Sequence, residues 1–321
     1  MTMKFVLGLG NQATIENSLP LTREVAKLGL HGVSIAEHIG LSVNDVFAMV
    51  CLLAEETGGD ICFLANSVNQ FSRHPISIAM AATTAAQGSN GKFILGLGTG
   101  AGDSLKKMGI DESRSLSRLK EVILITRGLI EGREVAFDGE FFSLETTKLQ
   151  NAGKYRIPLF VPAIRDHAIL VAAEHGDGIF LSNCSSTAFV EYVIKKISET
   201  NKARRDFGFA APLTYIPTED RQQGLWSAKM AIMRYLSIPG IGEVLLERTG
   251  IDPTIVARIR QGKMSISDQI ADQLTVIGGM NGLEKRIEEF DRVGVTHLLV
   301  TSPTDPTKAL GDLGKLHRSF D

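Results

Sequence analysis

PLFVPAIRDHAILVAAEHGDGIFLS, residues 158–182, decides the fold. It opens with an apolar run, 159–163, of the length and character of a buried strand. A polar turn follows, Ile164-Arg165-Asp166-His167, in which Asp166 stands where a side-chain oxygen can cap the first turn of a helix. Residues 168–175 are small and alanine-rich, so a helix there can lie close on a sheet. Gly176-Asp177-Gly178 breaks that helix, and 179–181 is a second strand. The unit is strand, helix, strand, with free N–H groups and an arginine at the first strand's carboxyl end. Such a turn is either an anion site or a plain connection in a parallel sheet.

Outward from this unit the same rhythm repeats. Residues 4–9, 32–36, 61–65, 93–97, 213–217 and 296–301 are further runs of strand character. Between them lie stripes at helical spacing: Leu21, Val25, Leu28; Leu116, Leu119, Ile123; Phe189, Val193, Ile197; Leu283, Ile287, Phe290; and Leu310, Leu313, Leu316. Asn44 is placed to cap a helix running through Ala54, and Pro75 to start the next. Residues 137–144 read as a short hairpin and 150–157 as loop. Residues 220–273 are helical in pattern, with Trp226, Met230 and Met233 on one stripe.

The count is eight strands, each followed by a helix. Unbroken apolar runs are what parallel strands buried on both faces require. Eight such units predict a (β/α)8 TIM barrel, one domain over residues 1–321, with a helical insertion at about 220–273 after the seventh strand. An open doubly wound sheet calls for G-x-G-x-x-G after the first strand. Gly8-Leu9-Gly10 lacks the third glycine, and Gly96-Leu97-Gly98-Thr99-Gly100 is out of register.

Composition narrows the function. The 321 residues are 44% hydrophobic and 22% charged, with net charge -2 and pI near 6.4. Nothing there holds nucleic acid by charge, and there is no apolar run of membrane-spanning length. Cys51, Cys62 and Cys184 are scattered and odd in number, as reduced core thiols of a cytoplasmic protein would be. In a barrel the residues just past each strand carry the chemistry. They are Gly8; Glu37 and His38; Ser67, Val68 and Asn69, then Arg73; Gly98, Thr99 and Gly100; Arg165 and His167; and Ser182 with Asn183. No lysine stands among them for a Schiff base, and carboxylates and histidines are too few for a metal site. The glycines either let a flat ring approach the backbone or simply make turns. His38 either polarises a substrate or contacts a cofactor, or is a rim residue without a chemical role. Glu37 is either an acid/base group or a partner for a nearby arginine or lysine.

Several runs resemble the luciferase-like monooxygenase family. They are IPLFVPA at 157–163, AEHGDGI at 173–179, LGLGTG at 95–100 and FDGEFF at 137–142. LANSVNQFSRHP at 64–75 and VGVTHLLVTSP at 293–303 are similar to the branch that uses the deazaflavin coenzyme F420, typified by methylenetetrahydromethanopterin reductase. The resemblance implies a TIM barrel, a homodimer or higher homo-oligomer, and an oxidoreductase passing a hydride between F420 and a small organic substrate. An FMN-dependent monooxygenase and a non-catalytic flavin-binding paralogue are the alternatives. It also implies that Glu37 and His38 fall at the branch's second-strand acid–histidine pair. Ser67 and Val68 would fall at a bulge whose non-prolyl cis peptide, Ser67–Val68, backs the ring. Gly8, Gly98, Thr99 and Gly100 would lie beside the ring, and Ala163, Ile164, Arg165, Asp166 and His167 on the loop that holds the phosphate. The reductase has an acid where Gly8 stands, Asp where Glu37 stands, and a glycine-containing loop at 164–166. These departures bear on the pterin substrate more than on the cofactor.

Overall fold

The computed structural model describes residues 3–10, 13–38, 44–100, 102–238, 240–262 and 266–320. In chain order the elements are β1 (Lys4–Gly8), α1 (Ile15–Lys27), β2 (Gly32–Ile35), α2 (Val46–Glu56), β3 (Cys62–Asn69), α3 (Pro75–Gly88), β4 (Phe93–Gly98), α4 (Gly102–Lys107) and α5 (Ser115–Ile130). A hairpin of β5 (Val135–Asp138) and β6 (Ser143–Thr147) follows, then β7 (Leu159–Pro162), α6 (Asp166–His175), β8 (Gly178–Phe180), α7 (Thr187–Glu199) and β9 (Gly208–Ile216). Four helices come next: α8 (Arg221–Leu236), α9 (Gly242–Arg248), α10 (Ile255–Arg260) and α11 (Asp268–Leu274). The chain returns through β10 (Val276–Ile277), α12 (Met280–Val293), β11 (His297–Thr301) and α13 (Pro306–Phe320).

Eight of these strands form a closed parallel barrel in the order β1-β2-β3-β4-β7-β8-β9-β11, and β11 pairs back onto β1. The expected TIM barrel is what the chain forms. Val6, Cys62, Leu64, Ile94, Phe160, Phe180, Ala210 and Leu299 pack together inside it. The opposite strand faces meet the helices in the larger core. Phe160 crosses the interior over glycines. A Cβ on Gly178 would lie 2.5 Å from its ring, and one on Gly208 would lie 2.3 Å from it. The same small residues hid the start of β9, which begins at Gly208 rather than at Leu213. The hairpin is wider than expected, 135–147, and antiparallel.

Two helix starts differ from expectation. Asp45, not Asn44, caps α2, its carboxylate accepting from the Phe47 and Ala48 N–H groups at 2.9 and 3.0 Å. Asn44 instead donates to the Ala13 carbonyl at 3.0 Å. Asp166 lies inside α6, whose N-cap is Arg165 in extended conformation without a side-chain cap bond. Pro75 opens α3 as expected, behind a His74 cap.

Asp177, the centre of the Gly-Asp-Gly break, is 4% exposed and joins two barrel strands to the outer layer. It accepts from the Leu159 N–H at 2.9 Å and pairs with Arg127 at 2.9 Å and Arg204 at 3.2 Å. Removing one member of a buried pair leaves the other charge without a partner. Asp177→Ala is therefore expected to cost about 3–5 kcal/mol. A urea titration reads this as a lower midpoint at unchanged slope; an unmoved midpoint would show that the cluster does not hold the strands.

Candidate active site

The carboxyl ends of the strands carry the residues singled out from the sequence. The mouth is organised by Glu37, just past β2. Its side chain is 5% exposed and meets Arg73 through both oxygens, at 2.8 and 3.1 Å. Glu37 also accepts from the Asn69 N–H at 3.2 Å. Arg73 reaches on to Asp45 and lies over the Phe47 ring, 5.3 Å from its centroid. Burial by itself would lower the Arg73 guanidinium; the two carboxylates outweigh it and hold the group above its ordinary value. Burial likewise works against ionised Asp45, but the α2 N–H groups and Arg73 hold it below the usual carboxylate range.

The Glu37–Asn69 contact fixes a bulge in β3, where the register to β4 shifts between Ala65 and Val68. The non-prolyl cis peptide in it is Asn66–Ser67, one residue before the Ser67–Val68 bond expected. The resemblance located the bulge and placed the bond one residue too far along. Val68 is fully buried, and Ser67 is partly exposed. A Cβ on Gly98 would lie 2.8 Å from both the Ser67 Oγ and the Pro162 ring, so the bulge and the end of β4 touch with only backbone between them. Gly98 accepts from the Gln70 N–H at 3.1 Å. Gly100, at φ +79°, closes over Asn69, whose side-chain nitrogen would lie 2.2 Å from a Cβ there. Thr99 is half-buried between these glycines. Gly8 faces Thr301: a Cβ on Gly8 would lie 2.1 Å from the threonine methyl carbon. Thr301 thus fills the room that an acidic side chain on β1 would take.

His38 follows Glu37. Burial and the charge of Arg234, on α8, lower its pKa from the ordinary value, and Glu37 opposes them more weakly. The ring is neutral at pH 7.

A second group of residues surrounds the start of α6. Arg165 is exposed and donates to the Gly240 carbonyl at 3.1 Å. Asp166 turns away from the helix start to accept from Tyr192 at 2.6 Å and Lys196 at 2.7 Å, with Arg248 at 3.8 Å. These bonds, Lys196 first and Tyr192 next, hold its carboxyl below the usual range. Ala163 is buried, Ile164 packs on the core, and His167 is exposed in the first turn. Ser182, past β8, hydrogen-bonds Tyr235 of α8, and burial pushes the Tyr235 hydroxyl up to about 12. Arg165, Asp166 and Ser182 therefore all tie the α8–α9 region to the barrel mouth.

The structure thus joins Glu37, Ser67, Gly98 and Gly100 in one network, and Arg165 and Asp166 in another. Of the two roles open to Glu37, partner to a nearby arginine is the one the structure shows, with Arg73; its bond to the Asn69 N–H was not legible. Thr301 was read only as the end of a strand. Arg234, Tyr235 and Gly240 were missed, because no motif marks the segment that carries them.

The closed parallel ring defines a (β/α)8-barrel protein, with glycines at the ends of β1 and β4 on which Thr301, Ser67, Pro162 and Asn69 pack closely. The family model described as luciferase-like monooxygenase matches residues 3–297, and the chain belongs to that family. It is 26% identical over 281 residues to the 5,10-methylenetetrahydromethanopterin reductase of Archaeoglobus fulgidus, covering 83% of each chain. It is 27% identical over 295 residues to the same-named enzyme of Methanolobus tindarius, covering 87% of this chain and 88% of that one. The structure of the coenzyme F420-dependent tetrahydromethanopterin reductase from Methanopyrus kandleri shares the fold, with TM-score 0.86, 22% identity and full coverage of both chains.

Glu37 and Arg73 share both oxygens and two nitrogens, so their substitutions should not add. In a double-mutant cycle, Glu37→Gln and Arg73→Gln are expected to couple by about 1–3 kcal/mol in unfolding free energy. Additive effects would show that the pair does not anchor the bulge.

Proposed function

We propose that the protein is a coenzyme F420-dependent oxidoreductase acting on a small organic substrate. The observation that carries this reading is the β3 bulge packed on the end of β4, where the Ser67 hydroxyl and the Pro162 ring close over Gly98. The relatives named above, which match most of the chain, support the same cofactor. The residues fit that group. Ser67, Val68, Gly98, Thr99 and Gly100 offer a flat backing for a tricyclic ring. Ala163, Ile164, Arg165 and the N–H groups of Asp166 and His167 offer a cationic start to a ten-residue helix for the phosphate-bearing tail. The Asp166 carboxylate, paired with Lys196, does not oppose an anion there. When bound, F420 supplies the hydride chemistry without oxygen.

The chain's own groups position and polarise. Glu37 holds the bulge through Asn69 and Arg73, so its role is positioning rather than proton transfer. Neutral His38 can offer an N–H to a substrate oxygen or nitrogen. Arg234 favours the neutral ring and adds positive charge beside it. The α8 region, fixed to Ser182 and Arg165, shields the mouth from water. With Thr301 in the place of a β1 acid, the substrate is not required to be a pterin. We place the enzyme in the cytoplasm, which its three free cysteines favour, and as a homodimer, which rests on the family resemblance. Among the described residues no helix is long and apolar enough to cross a membrane.

The test follows the coenzyme's visible absorbance anaerobically with a panel of alcohols, imines and pterins. Turnover without oxygen is expected, and oxygen-dependent product formation would contradict it. His38→Ala should lower kcat about 100-fold or more while leaving coenzyme affinity within a few fold. Because the neutral ring works and its pKa lies below the ordinary 6.5, kcat should be flat above about pH 6.5 and fall only as acid protonates His38. Arg165→Ala should weaken F420 about tenfold and make binding less sensitive to salt; equal affinity at low salt would remove Arg165 from the tail site.

A further inference from the structure

The opposite end of the barrel carries a second concentration of polar groups, which the reading above does not use. A depression of about 470 Å³ opens at the amino ends of the strands. Lys4 begins β1, His31 precedes β2, Cys62 begins β3, Lys92 precedes β4 and Arg156 precedes β7, and all five line it. Asp60 is the carboxylate among the lining residues, set against three cations. Arg156 is paired with Asp206 at 3.0 Å and stands 3.6 Å from Asp177. The Lys92 ammonium donates to the Asp60 main-chain carbonyl at 2.7 Å, which does not neutralise it. Among the described residues no carboxylate pairs with Lys4.

Two imidazoles stand behind these cations. His31 and His297 meet edge to face with centroids 5.7 Å apart. The Nε2 of each is buried and has no hydrogen-bond partner among the described residues. His297 is 5% exposed, and its Nδ1 is taken by the Thr296 hydroxyl at 2.8 Å. Both Nε2 atoms are closed to solvent, so it is the rest of the His31 ring that lines the depression. Burial, and the nearby Lys4 and Lys92, push His31 down to about 4, so its ring is neutral at pH 7. Burial first, then Lys4 and His31, push His297 to about 3. The Cys62 thiol, driven up to about 12 by burial, stays protonated.

We propose that this closed end of the barrel binds a small phosphate-bearing anion, held by Lys4 and Lys92 beside the His31 ring. A monocarboxylate balances one ammonium charge, whereas a phosphate dianion balances both. The packed barrel interior, including Phe160, Leu64 and Ile94, separates this site from the mouth. Its occupant therefore takes no part in hydride transfer. It acts by linkage, stabilising the folded barrel.

The probe is inorganic pyrophosphate, titrated at constant ionic strength into protein labelled at its histidine rings and followed by NMR. The His31 signal is assigned by its loss in His31→Gln. The expected result is a saturable shift of that signal and a rise in the His31 pKa on binding, because an anion stabilises the protonated ring. Lys4→Gln with Lys92→Gln, both at exposed positions, should weaken the effect at least about tenfold. Arg165→Ala should leave it unchanged, which separates this site from the tail site at the mouth. A His31 signal that does not saturate by about 10 mM pyrophosphate would overturn the proposal. So would equal affinity in the lysine double variant, or loss of the effect in Arg165→Ala.

Discussion

Lys4, Phe5, Val6 and Leu7 pair with His297, Leu298, Leu299 and Val300, and that single ladder turns a row of parallel strands into a ring. With it, every barrel strand has a partner on both edges and the barrel itself leaves no edge for another chain to extend. Closure also fixes where function can sit. A parallel ring sends every strand-to-helix turn to one end and every helix-to-strand turn to the other. The mouth and the closed end are consequences of this pairing. They differ because different turn residues were placed at each.

At the mouth, one buried ion pair does the arranging. Glu37 and Arg73 come from the turn after β2 and the turn after β3, and each would be costly to bury alone. Together they fix the Asn69 N–H and with it the bulge. The bulge displaces Ser67 toward Gly98, where the lack of a side chain lets the two strand ends touch. The ends of β3, β4 and β7 are thereby held in one packed arrangement at the mouth. The α8 region completes the enclosure through Tyr235 on Ser182 and Arg165 on Gly240.

The barrel was legible because parallel strands buried on both faces leave unbroken apolar runs, and these recur with helical stripes between them. What escaped was set by contacts between distant segments. The first residues of β9 look like a turn, since glycine and alanine there serve the Phe160 ring rather than strand propensity. Asn44 and Asp45 are both able to cap a helix, and Asn44 is taken by the Ala13 carbonyl ahead of α1, which leaves the aspartate as cap. Asp166 was read as the cap, but it is the first residue of α6, and partners on α7 and α9 make it an anchor instead. The family resemblance found the bulge and displaced the cis bond by one residue. Arg234 bears on His38 only once α8 is folded over the mouth, so nothing local could have marked it.

If the mouth holds the deazaflavin coenzyme, equilibrium titration of oxidised F420 against FMN shows it without any substrate. Both ligands are followed by their own fluorescence, in the dark and without substrate. F420 is expected to bind with micromolar or tighter affinity, and FMN at least about a hundredfold more weakly. FMN binding as tight as F420 or tighter, or no measurable affinity for F420, would contradict it.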